Sequence, residues 1–419
     1  MFKILGNMPK LIQINVTSNW GSTGKIAEGC NHFARSLGWS TYFIYGRYCN
    51  PSDSKVIVSS SCKLDIYEHY FENIFFDSEG LASRRSTRKL VQKIREINPD
   101  IIHLHNIHDH WINYKILFEY LNQTNIKVVW TFHDFWAVTG HCTHFVGKNC
   151  ERFKDECYDC PYTKGKFLPV LKRTKRNFNL KKLLFTANRY LTIVPVSEWV
   201  GENVRQSFLK EKQIVVIPNG VDTSVFKPLS VQTIHDVECR KRISSIDDKF
   251  IIMAVSSQWK SVSKGLDDYK AMSRMLKDDE VIVLVGVPDD ISKDFPKNII
   301  GISRTNNQQE LAALYTRANV LCSFSSAETF GLTIVEGFAC GTPAVVYDNT
   351  APPTLISSET GFVVRNHDYK DAYKAIQKIK SRGKKYYSEA CIKLAKEKYE
   401  KKLCSNKYIS LYEKLLDKI

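Results

Sequence analysis

Short apolar runs alternate with longer segments of helical pattern along the first half of the chain. The apolar runs are rich in β-branched residues, and they occupy residues 11–16, 101–105, 128–132, 191–196 and 214–218. Parallel strands need long crossover connections, which are usually helices that cover the sheet. The alternation therefore predicts a parallel sheet with helices on both faces.

The same alternation starts again after a polar, charged stretch that ends at Lys249. Strands are predicted there at residues 250–255, 281–287, 298–302, 320–324 and 344–347. We therefore expect an α/β fold of two Rossmann-like, doubly wound domains that face each other across a cleft. The boundary is placed near Asp222, and ligands of such sheets bind at the carboxyl ends of the strands.

Composition and charge narrow the class of protein. Apolar residues make up 43% of the chain, which excludes a mainly disordered protein. The net charge of +16 favours an anionic partner, which could be nucleic acid, a phosphorylated ligand or an acidic membrane surface. We expect no nucleic acid, because no basic groove with interleaved aromatic residues and no RNA-binding signature is recognisable.

No membrane-spanning segment is predicted, because apolar runs such as residues 281–287 are far shorter than the roughly 20 residues that a spanning helix needs. The first ten residues lack the pattern of a secretory signal. We therefore expect a cytoplasmic protein.

Four cysteines are concentrated in the polar insertion at residues 141–162. They have seven, six and two residues between them, and they are Cys142, Cys150, Cys157 and Cys160. A closing Cys-x-x-Cys is a frequent half-site for tetrahedral zinc, so we predict a structural zinc site with four thiolate ligands. His144 is a possible substitute ligand, and free thiols or a disulfide remain alternatives.

Residues 164–189 carry nine Lys and Arg, no Asp or Glu, and nine large apolar residues. This composition predicts a basic amphipathic helical segment that binds an anionic membrane surface. The alternative is that its apolar residues pack onto their own domain while its lysines are solvated.

A turn rich in small residues follows the predicted strand at residues 320–324 and leads into a helical pattern. Such a turn presents backbone N–H groups to an anion, and Phe330, Gly331 and Leu332 are the expected donors. The carboxylates of Glu328 and Glu336 could accept hydrogen bonds from sugar or ribose hydroxyls. A simple helix cap with a solvated glutamate is the alternative.

Glu328 and Glu336, with seven residues between them, resemble the paired-glutamate signature of retaining GT-B glycosyltransferases of family 4. Further similarities follow in the family's order, at Gly21 and Gly24 of the segment 21–25, at His133 of the segment 131–134, at the segment 217–222, and at Lys264. The segments 19–24 and 103–106 and the cysteines resemble a bacterial subgroup that builds surface polysaccharides, such as capsules and exopolysaccharides.

The resemblance implies a metal-independent hexosyltransferase that moves a sugar from a UDP- or GDP-sugar, with retention, to a saccharide carried on polyprenyl diphosphate. It also implies a peripheral position on the inner face of the cell membrane. Residues 1–222 would form the acceptor-side domain, residues 223–395 would bind the nucleotide sugar, and residues 396–419 would form a helix that returns to the first domain.

The resemblance also implies roles for single residues. Lys264 would bind the diphosphate, Glu336 the ribose and Glu328 the transferred sugar, while His133 would hydrogen-bond the sugar or orient the acceptor. Gly21 and Gly24 would approach the donor phosphates. The family's arginine before the lysine is missing, so Lys260 or Gln258 would have to replace it.

Five histidines, His103, His105, His108, His110 and His133, invite a metal hypothesis. No group of carboxylates accompanies them, so we interpret them as polar side chains that line the cleft. Two other functions stay open: a GT-B nucleotide-sugar epimerase or hydrolase, and a basic nucleic-acid-binding protein.

Overall fold

The computed structural model describes residues 8–58, 63–161, 169–233 and 237–417. The chain divides into two compact units, of which the first comprises Met1–Pro218 and Ser405–Ile419 and the second comprises Asn219–Cys404.

The first unit contains a seven-stranded parallel sheet with the strand order β3-β2-β1-β4-β5-β6-β7. Its strands are β1 Lys10–Ser18, β2 Ser40–Cys49, β3 Lys55–Val58, β4 Ile101–Leu104, β5 Lys127–Phe132, β6 Leu191–Pro195 and β7 Gln213–Ile214. Its helices up to this point are α1 Gly21–Ser36, α2 Lys63–Phe76, α3 Arg84–Ile97, α4 Tyr114–Leu121, α5 Thr174–Ala187 and α6 Glu198–Arg205.

The second unit contains a six-stranded parallel sheet with the strand order β10-β9-β8-β11-β12-β13. Its strands are β8 Phe250–Val255, β9 Glu280–Val285, β10 Ile299–Ile302, β11 Val320–Ser323, β12 Ala344–Tyr347 and β13 Gly361–Val364. Its helices are α7 Val237–Ser244, α8 Leu266–Ser273, α9 Asp289–Ser292, α10 Gln308–Arg317, α11 Leu332–Ala339, α12 Tyr369–Arg382 and α13 Lys385–Tyr399.

The last helix, α14, runs over Lys401–Leu416, and its part from Ser405 belongs to the first unit. Its apolar face packs into the core of that unit, where Ile409 and Leu415 join Leu11 of β1 and Ile101 of β4. Tyr408 and Tyr412 of the same helix are buried and reach polar groups of the sheet: Tyr408 Oη lies 2.9 Å from Thr131 Oγ1, and Tyr412 Oη lies 2.6 Å from His103 Nδ1.

The predicted fold class is confirmed, because both units are parallel sheets covered by helices. Strand order reverses direction between β1 and β4 and between β8 and β11, and such switch points are where ligands of doubly wound sheets bind. The strands β2, β3 and β13 are not among the predicted ones. The strand predicted at residues 214–218 is shorter in the structure, although Val215 and Ile217 still donate to carbonyls of β6.

None of the helices within the described ranges is long and apolar enough to span a bilayer.

Candidate functional site

The turn between β11 and α11 in the second unit brings Lys264 and Glu328 together. Lys264 Nζ lies 2.6 Å from Glu328 Oε1 and 3.4 Å from Ser325 Oγ. The side chains of both ionised residues are partly exposed, at 17% for Lys264 and 30% for Glu328. The ion pair therefore stays accessible to a polar ligand.

Gly265 permits this arrangement. Its φ of +70° lies in the left-handed region, and a Cβ at this position would lie 2.4 Å from the Phe324 carbonyl oxygen. The backbone that carries Lys264 can therefore pass directly over the end of β11.

Helix α11 begins after Gly331, which has a φ of +97° and, as a glycine, no side chain to cap the helix. Its first turn contains no acidic residue. Phe330, Gly331 and Leu332, the predicted phosphate donors, lie at this helix start, and backbone N–H groups at such a start favour an anion.

Glu336 lies in the second turn of α11 and is only 8% exposed. Tyr315 of α10 donates its hydroxyl to Glu336 Oε2 at 3.0 Å, and burial raises the pKa of Tyr315 well above its usual value. The Tyr315 hydroxyl therefore fixes the position of the Glu336 carboxylate.

Lys260 does not join the Lys264–Glu328 pair. Its ammonium lies 2.7 Å from Asp290 Oδ2 in α9, and both side chains are exposed. The structure thus directs Lys260 to a neighbouring surface carboxylate, and the prediction that it replaces the missing arginine gains no contact to support it.

In the first unit, Gly21 and Gly24 form the start of α1 rather than a loop. A Cβ on Gly24 would lie 2.8 Å from Thr17 Oγ1 and 3.0 Å from the Thr17 carbonyl oxygen, so the helix can approach the end of β1 only at a glycine. Trp20, the residue before this helix, makes no side-chain cap hydrogen bond, and the first turn contains no acid. The turn therefore remains suited to an anion.

Two histidines follow the neighbouring strands β4 and β5 and contact each other. His105 Nδ1 lies 3.0 Å from His133 Nε2, and His105 Nε2 lies 2.8 Å from Gln13 Oε1 of β1. Burial lowers the pKa of His133 to about 4 and that of His105 well below its usual value. Both rings are therefore neutral at pH 7.

His108 and Asp134 form an ion pair beside these rings, with 2.8 Å between Nε2 and Oδ2. Burial disfavours both charges, but their mutual attraction and hydrogen bond outweigh it. The pKa of His108 is raised to about 9 and that of Asp134 is lowered to about 2. Asp134 was not among the predicted site residues, although its position directly after His133 at a strand end could have indicated it.

The structure gives the predicted zinc site of the four cysteines no support. Three of the thiols have separate hydrogen-bond partners in one short segment: Cys142 pairs with Thr139, Cys157 with the Gly140 amide, and Cys160 with His141. The described part of the chain contains no group of three or more Cys, His, Asp or Glu arranged to hold a metal ion.

Burial raises the pKa of Cys142 to about 12 and that of Cys157 to about 11, which favours neutral thiols. The described cysteines form no disulfide.

The basic segment predicted at residues 164–189 begins outside the described residues, and its described part is mainly the helix α5. This helix buries the apolar residues Phe178, Leu184 and Phe185 in the first unit. Lys181 is also buried, and its ammonium donates to the Trp136 carbonyl oxygen at 2.7 Å. Three of the five large apolar side chains of α5 therefore pack in the core, whereas Leu183 is 67% exposed.

Comparison with known proteins identifies the family. Residues 26–225 match Glycosyltransferase Family 4, and residues 240–398 match Glycosyl transferases group 1. The solved structures that resemble the chain include a sucrose-phosphate synthase from Thermosynechococcus elongatus, with a TM-score of 0.72, 17% identity and coverage of 98% and 99% of the two chains. Anabaena HepE in complex with UDP has a TM-score of 0.66 at 14% identity and coverage of 97% and 100%.

The matches to curated relatives cover different fractions of those proteins. The Escherichia coli K12 protein named "Putative colanic acid biosynthesis glycosyl transferase WcaC" is 27% identical over 38% of this chain and 41% of its own length. The alpha-monoglucosyldiacylglycerol synthase of Acholeplasma laidlawii is 22% identical over 67% of both proteins. A Klebsiella pneumoniae protein of the cps region is 24% identical over 87% of this chain and 93% of its own length.

The match therefore spans less than half of the first of these relatives, whereas the two family matches together cover most of the present chain. With its two parallel-sheet units, the chain belongs to the family 4 glycosyltransferases of the GT-B fold.

Proposed function

We propose that the protein is a retaining hexosyltransferase that moves a sugar from a nucleotide diphosphate sugar to a lipid-linked saccharide during surface polysaccharide biosynthesis. The observation that carries the proposal is the Lys264–Glu328 ion pair beside the uncapped start of α11. A cation, a carboxylate and backbone N–H groups at one strand end provide the contacts that a sugar diphosphate needs.

The donor would bind in the second unit. Breaking the bond between the anomeric carbon and the phosphate oxygen leaves negative charge on the diphosphate. Lys264 and the N–H groups of Phe330, Gly331 and Leu332 would stabilise that charge, and no metal ion is required for this role. The UDP bound in Anabaena HepE supports a nucleotide donor, which would be a UDP- or GDP-sugar.

The two glutamates would have different partners. Glu336, held by Tyr315, would accept hydrogen bonds from the ribose hydroxyls. Glu328 would contact the transferred sugar while Lys264 keeps it oriented. Lys260 has no part in this proposal, because its ammonium contacts Asp290.

The acceptor oxygen would attack the anomeric carbon from the face that the phosphate leaves, which gives retention. The bond between the anomeric carbon and the acceptor oxygen forms as the bond between that carbon and the phosphate oxygen breaks. The acceptor proton passes to a phosphate oxygen. His133, neutral at pH 7, would hydrogen-bond the sugar or the acceptor, and Gly21 and Gly24 would let α1 approach the donor phosphates.

The acceptor class rests on the relatives. Their names refer to colanic acid biosynthesis, a cps region and a glycolipid synthase. We infer a saccharide on polyprenyl diphosphate as acceptor, and hence a protein that works at the cytoplasmic surface of the cell membrane.

The test is an assay of the purified protein against a panel of UDP- and GDP-sugars, with and without a lipid-linked saccharide acceptor. The proposal expects acceptor-dependent release of the nucleotide diphosphate and an α- or β-linkage that matches the anomeric configuration of the donor. Inversion of configuration would refute the mechanism, and epimerised donor without transfer would favour the epimerase alternative.

A further inference from the structure

Helix α2 of the first unit has its polar face turned inward. His69 is fully buried: its Nδ1 lies 2.8 Å from Ser83 Oγ, and its Nε2 accepts from the Gly80 amide at 2.7 Å. One turn further on, Asn73 Nδ2 lies 3.0 Å from His110 Nε2. The helix is thus attached to its own unit largely through hydrogen bonds.

The outward face of α2 is mainly apolar, and Glu68 is the exposed charged residue within it. Leu64, Tyr67, Phe71 and Phe75 follow each other at spacings of three and four residues, so they lie on one side of the helix. Their exposed fractions are 76%, 69%, 55% and 39%. A surface helix normally shows the opposite arrangement, with its apolar side on the core.

A second segment widens this apolar surface. The Val170 amide donates to the Ile74 carbonyl oxygen at 2.8 Å, and the Leu171 amide donates to the Phe75 carbonyl oxygen at 3.1 Å. Val170 and Leu171 are 67% and 44% exposed. We call these two residues together with Leu64, Tyr67, Phe71 and Phe75 the α2 surface; a continuous exposed patch of this kind marks an interaction site.

A cationic groove of about 820 Å³ adjoins the α2 surface. Phe71 and Phe76 line it. Its charged lining residues are five cations, Arg84, Arg88, Lys115, Arg173 and Arg176, and three carboxylates, Glu68, Glu72 and Glu119. Arg84 is neutralised by Glu72, which it binds with both terminal nitrogens. Within the described residues, no carboxylate forms an ion pair with Arg88 or Arg173, whereas Arg176 donates to the Asp77 carbonyl oxygen and to Asn177 Oδ1.

We propose that the α2 surface and this groove together form the site at which the protein docks on an anionic lipid bilayer. The aliphatic and aromatic side chains would enter the interfacial layer, and Arg88 and Arg173 would bind lipid phosphates. The inference deepens the proposed function and rests on it for the choice of a membrane, because a lipid-linked acceptor has to be reached at a bilayer surface.

The chemistry of the surface favours lipid over an acidic saccharide. Sugars bind proteins through hydrogen bonds and by stacking on aromatic rings, whereas Leu64, Val170 and Leu171 offer neither. Tyrosine and phenylalanine beside cations are typical of protein surfaces at the membrane interface.

Vesicle co-sedimentation tests the proposal with the full-length protein at low and high salt. The vesicles are phosphatidylcholine alone or phosphatidylcholine with phosphatidylglycerol. One variant combines Leu64→Ser, Phe71→Ser and Phe75→Ser, and a second combines Arg88→Gln with Arg173→Gln. Two control variants carry comparable changes elsewhere on the surface. One combines Leu37→Ser with Tyr386→Ser and removes exposed apolar groups, and the other combines Lys370→Gln with Lys374→Gln and removes exposed charges.

We expect the parent to require phosphatidylglycerol and to be released by salt. Both test variants should lose at least tenfold in vesicle affinity, and both control variants should stay within about twofold of the parent. Nucleotide affinity, measured in solution without vesicles, should be unchanged in all four variants, which separates this proposal from the donor-site assignment.

The proposal is overturned if the parent does not bind phosphatidylglycerol vesicles at low salt, or if the two test variants bind like the controls. Binding of a soluble acidic oligosaccharide that the arginine variant loses, without vesicle binding, would assign the groove to a saccharide instead. Concentration-dependent dimerisation abolished by the serine variant would assign the α2 surface to a second copy of the chain.

Discussion

His105 lies between Gln13 and His133 and fixes which nitrogen of His133 carries a proton. The Gln13 side-chain oxygen can only accept, so the His105 nitrogen that faces it at 2.8 Å is the protonated one. Because His105 is neutral, its other nitrogen is an acceptor, and His133 must donate to it from Nε2 at 3.0 Å. In neutral His133, Nδ1 then carries the lone pair.

This relationship predicts that His105→Gln impairs transfer without impairing nucleotide binding. The variant removes the acceptor that orients His133, while Lys264 and Glu336 lie in the other unit. We expect kcat to fall about 10- to 100-fold, which corresponds to about 1.4 to 2.7 kcal/mol and lies within the range for leaving a buried polar group without its partner. Nucleotide affinity, measured by calorimetry, should stay within twofold.

Nitrogen-15 NMR of the imidazoles reports the tautomer of His133. A substitution that only destabilised the fold would not change this tautomer. The parent should show His133 protonated at Nε2, and the variant should show a mixture of tautomers. A parent with His133 protonated at Nδ1 would contradict the assignment.

The buried histidines predict a loss of stability in acid. Burial lowers the pKa of His69 to about 3 and that of His133 to about 4, below the roughly 6.5 of an unfolded chain. The unfolded state therefore binds more protons below pH 6.5, and stability falls as the pH drops from about 6.5 through these values. Between pH 7 and pH 5 each such histidine costs up to about 2 kcal/mol.

Urea unfolding at pH 5, 6 and 7 measures this effect. The free energy of unfolding should fall toward pH 5, and His69→Gln should reduce the dependence while lowering stability at pH 7. A pH dependence of unchanged slope in the variant would show that folding does not lower the pKa of His69.

The donor site predicts a graded set of variants. Lys264→Ala and Glu336→Ala should each weaken nucleotide binding by about 1 to 3 kcal/mol, the range for losing a hydrogen bond to a charged group. Glu328→Ala should reduce transfer more than nucleotide binding, because its expected partner is the sugar. Lys260→Ala is the matched control and should change nucleotide affinity by less than twofold, since its ammonium contacts Asp290.

Isothermal titration with UDP and GDP measures these affinities. If Lys264→Ala and Glu336→Ala bind both nucleotides as tightly as the parent, the donor-site assignment is wrong. A large loss in Lys260→Ala would instead restore Lys260 to the diphosphate.

Buried strands could be predicted from the sequence because they read as continuous apolar runs: β8 and β12 begin and end where the pattern places them. The strand β13 could not, because it begins at Gly361, whose Cβ would collide with the Ala344 carbonyl oxygen of the neighbouring strand. That glycine reflects a close approach between strands, which sequence periodicity does not encode.

The candidate sites show the same division. The resemblance to family 4 glycosyltransferases brought Lys264 and Glu328 into one hypothesis, and the structure joins them. The spacing of the four cysteines suggested a common site, but spacing alone cannot show whether their thiols meet in the fold. The stripe from Leu64 to Phe75 is visible as a helical pattern, yet a pattern alone assigns such a face to the core. The buried hydrogen bonds of His69 and the exposure of Leu64 and Tyr67 show that α2 directs its polar face toward the protein and its apolar face toward solvent.

Gly265 predicts that backbone geometry, as well as charge, holds Lys264 in place. In Gly265→Ala the new Cβ would lie 2.4 Å from the Phe324 carbonyl oxygen, so the segment that carries Lys264 must move away from β11. Gly38→Ala is the matched control, because Gly38 has a φ of +89° and no atom within 4 Å of the added Cβ. Both variants incur the left-handed backbone penalty of about 1 to 2 kcal/mol, and only Gly265→Ala adds a collision.

We therefore expect Gly38→Ala to lower the free energy of unfolding by about 1 to 2 kcal/mol without changing nucleotide affinity. Gly265→Ala should be less stable than this control and should also bind UDP or GDP at least tenfold more weakly. Denaturant unfolding and calorimetry on the same preparations separate the two effects. If Gly265→Ala binds nucleotide as tightly as Gly38→Ala does, the position of Lys264 does not depend on the close approach of Gly265 to β11.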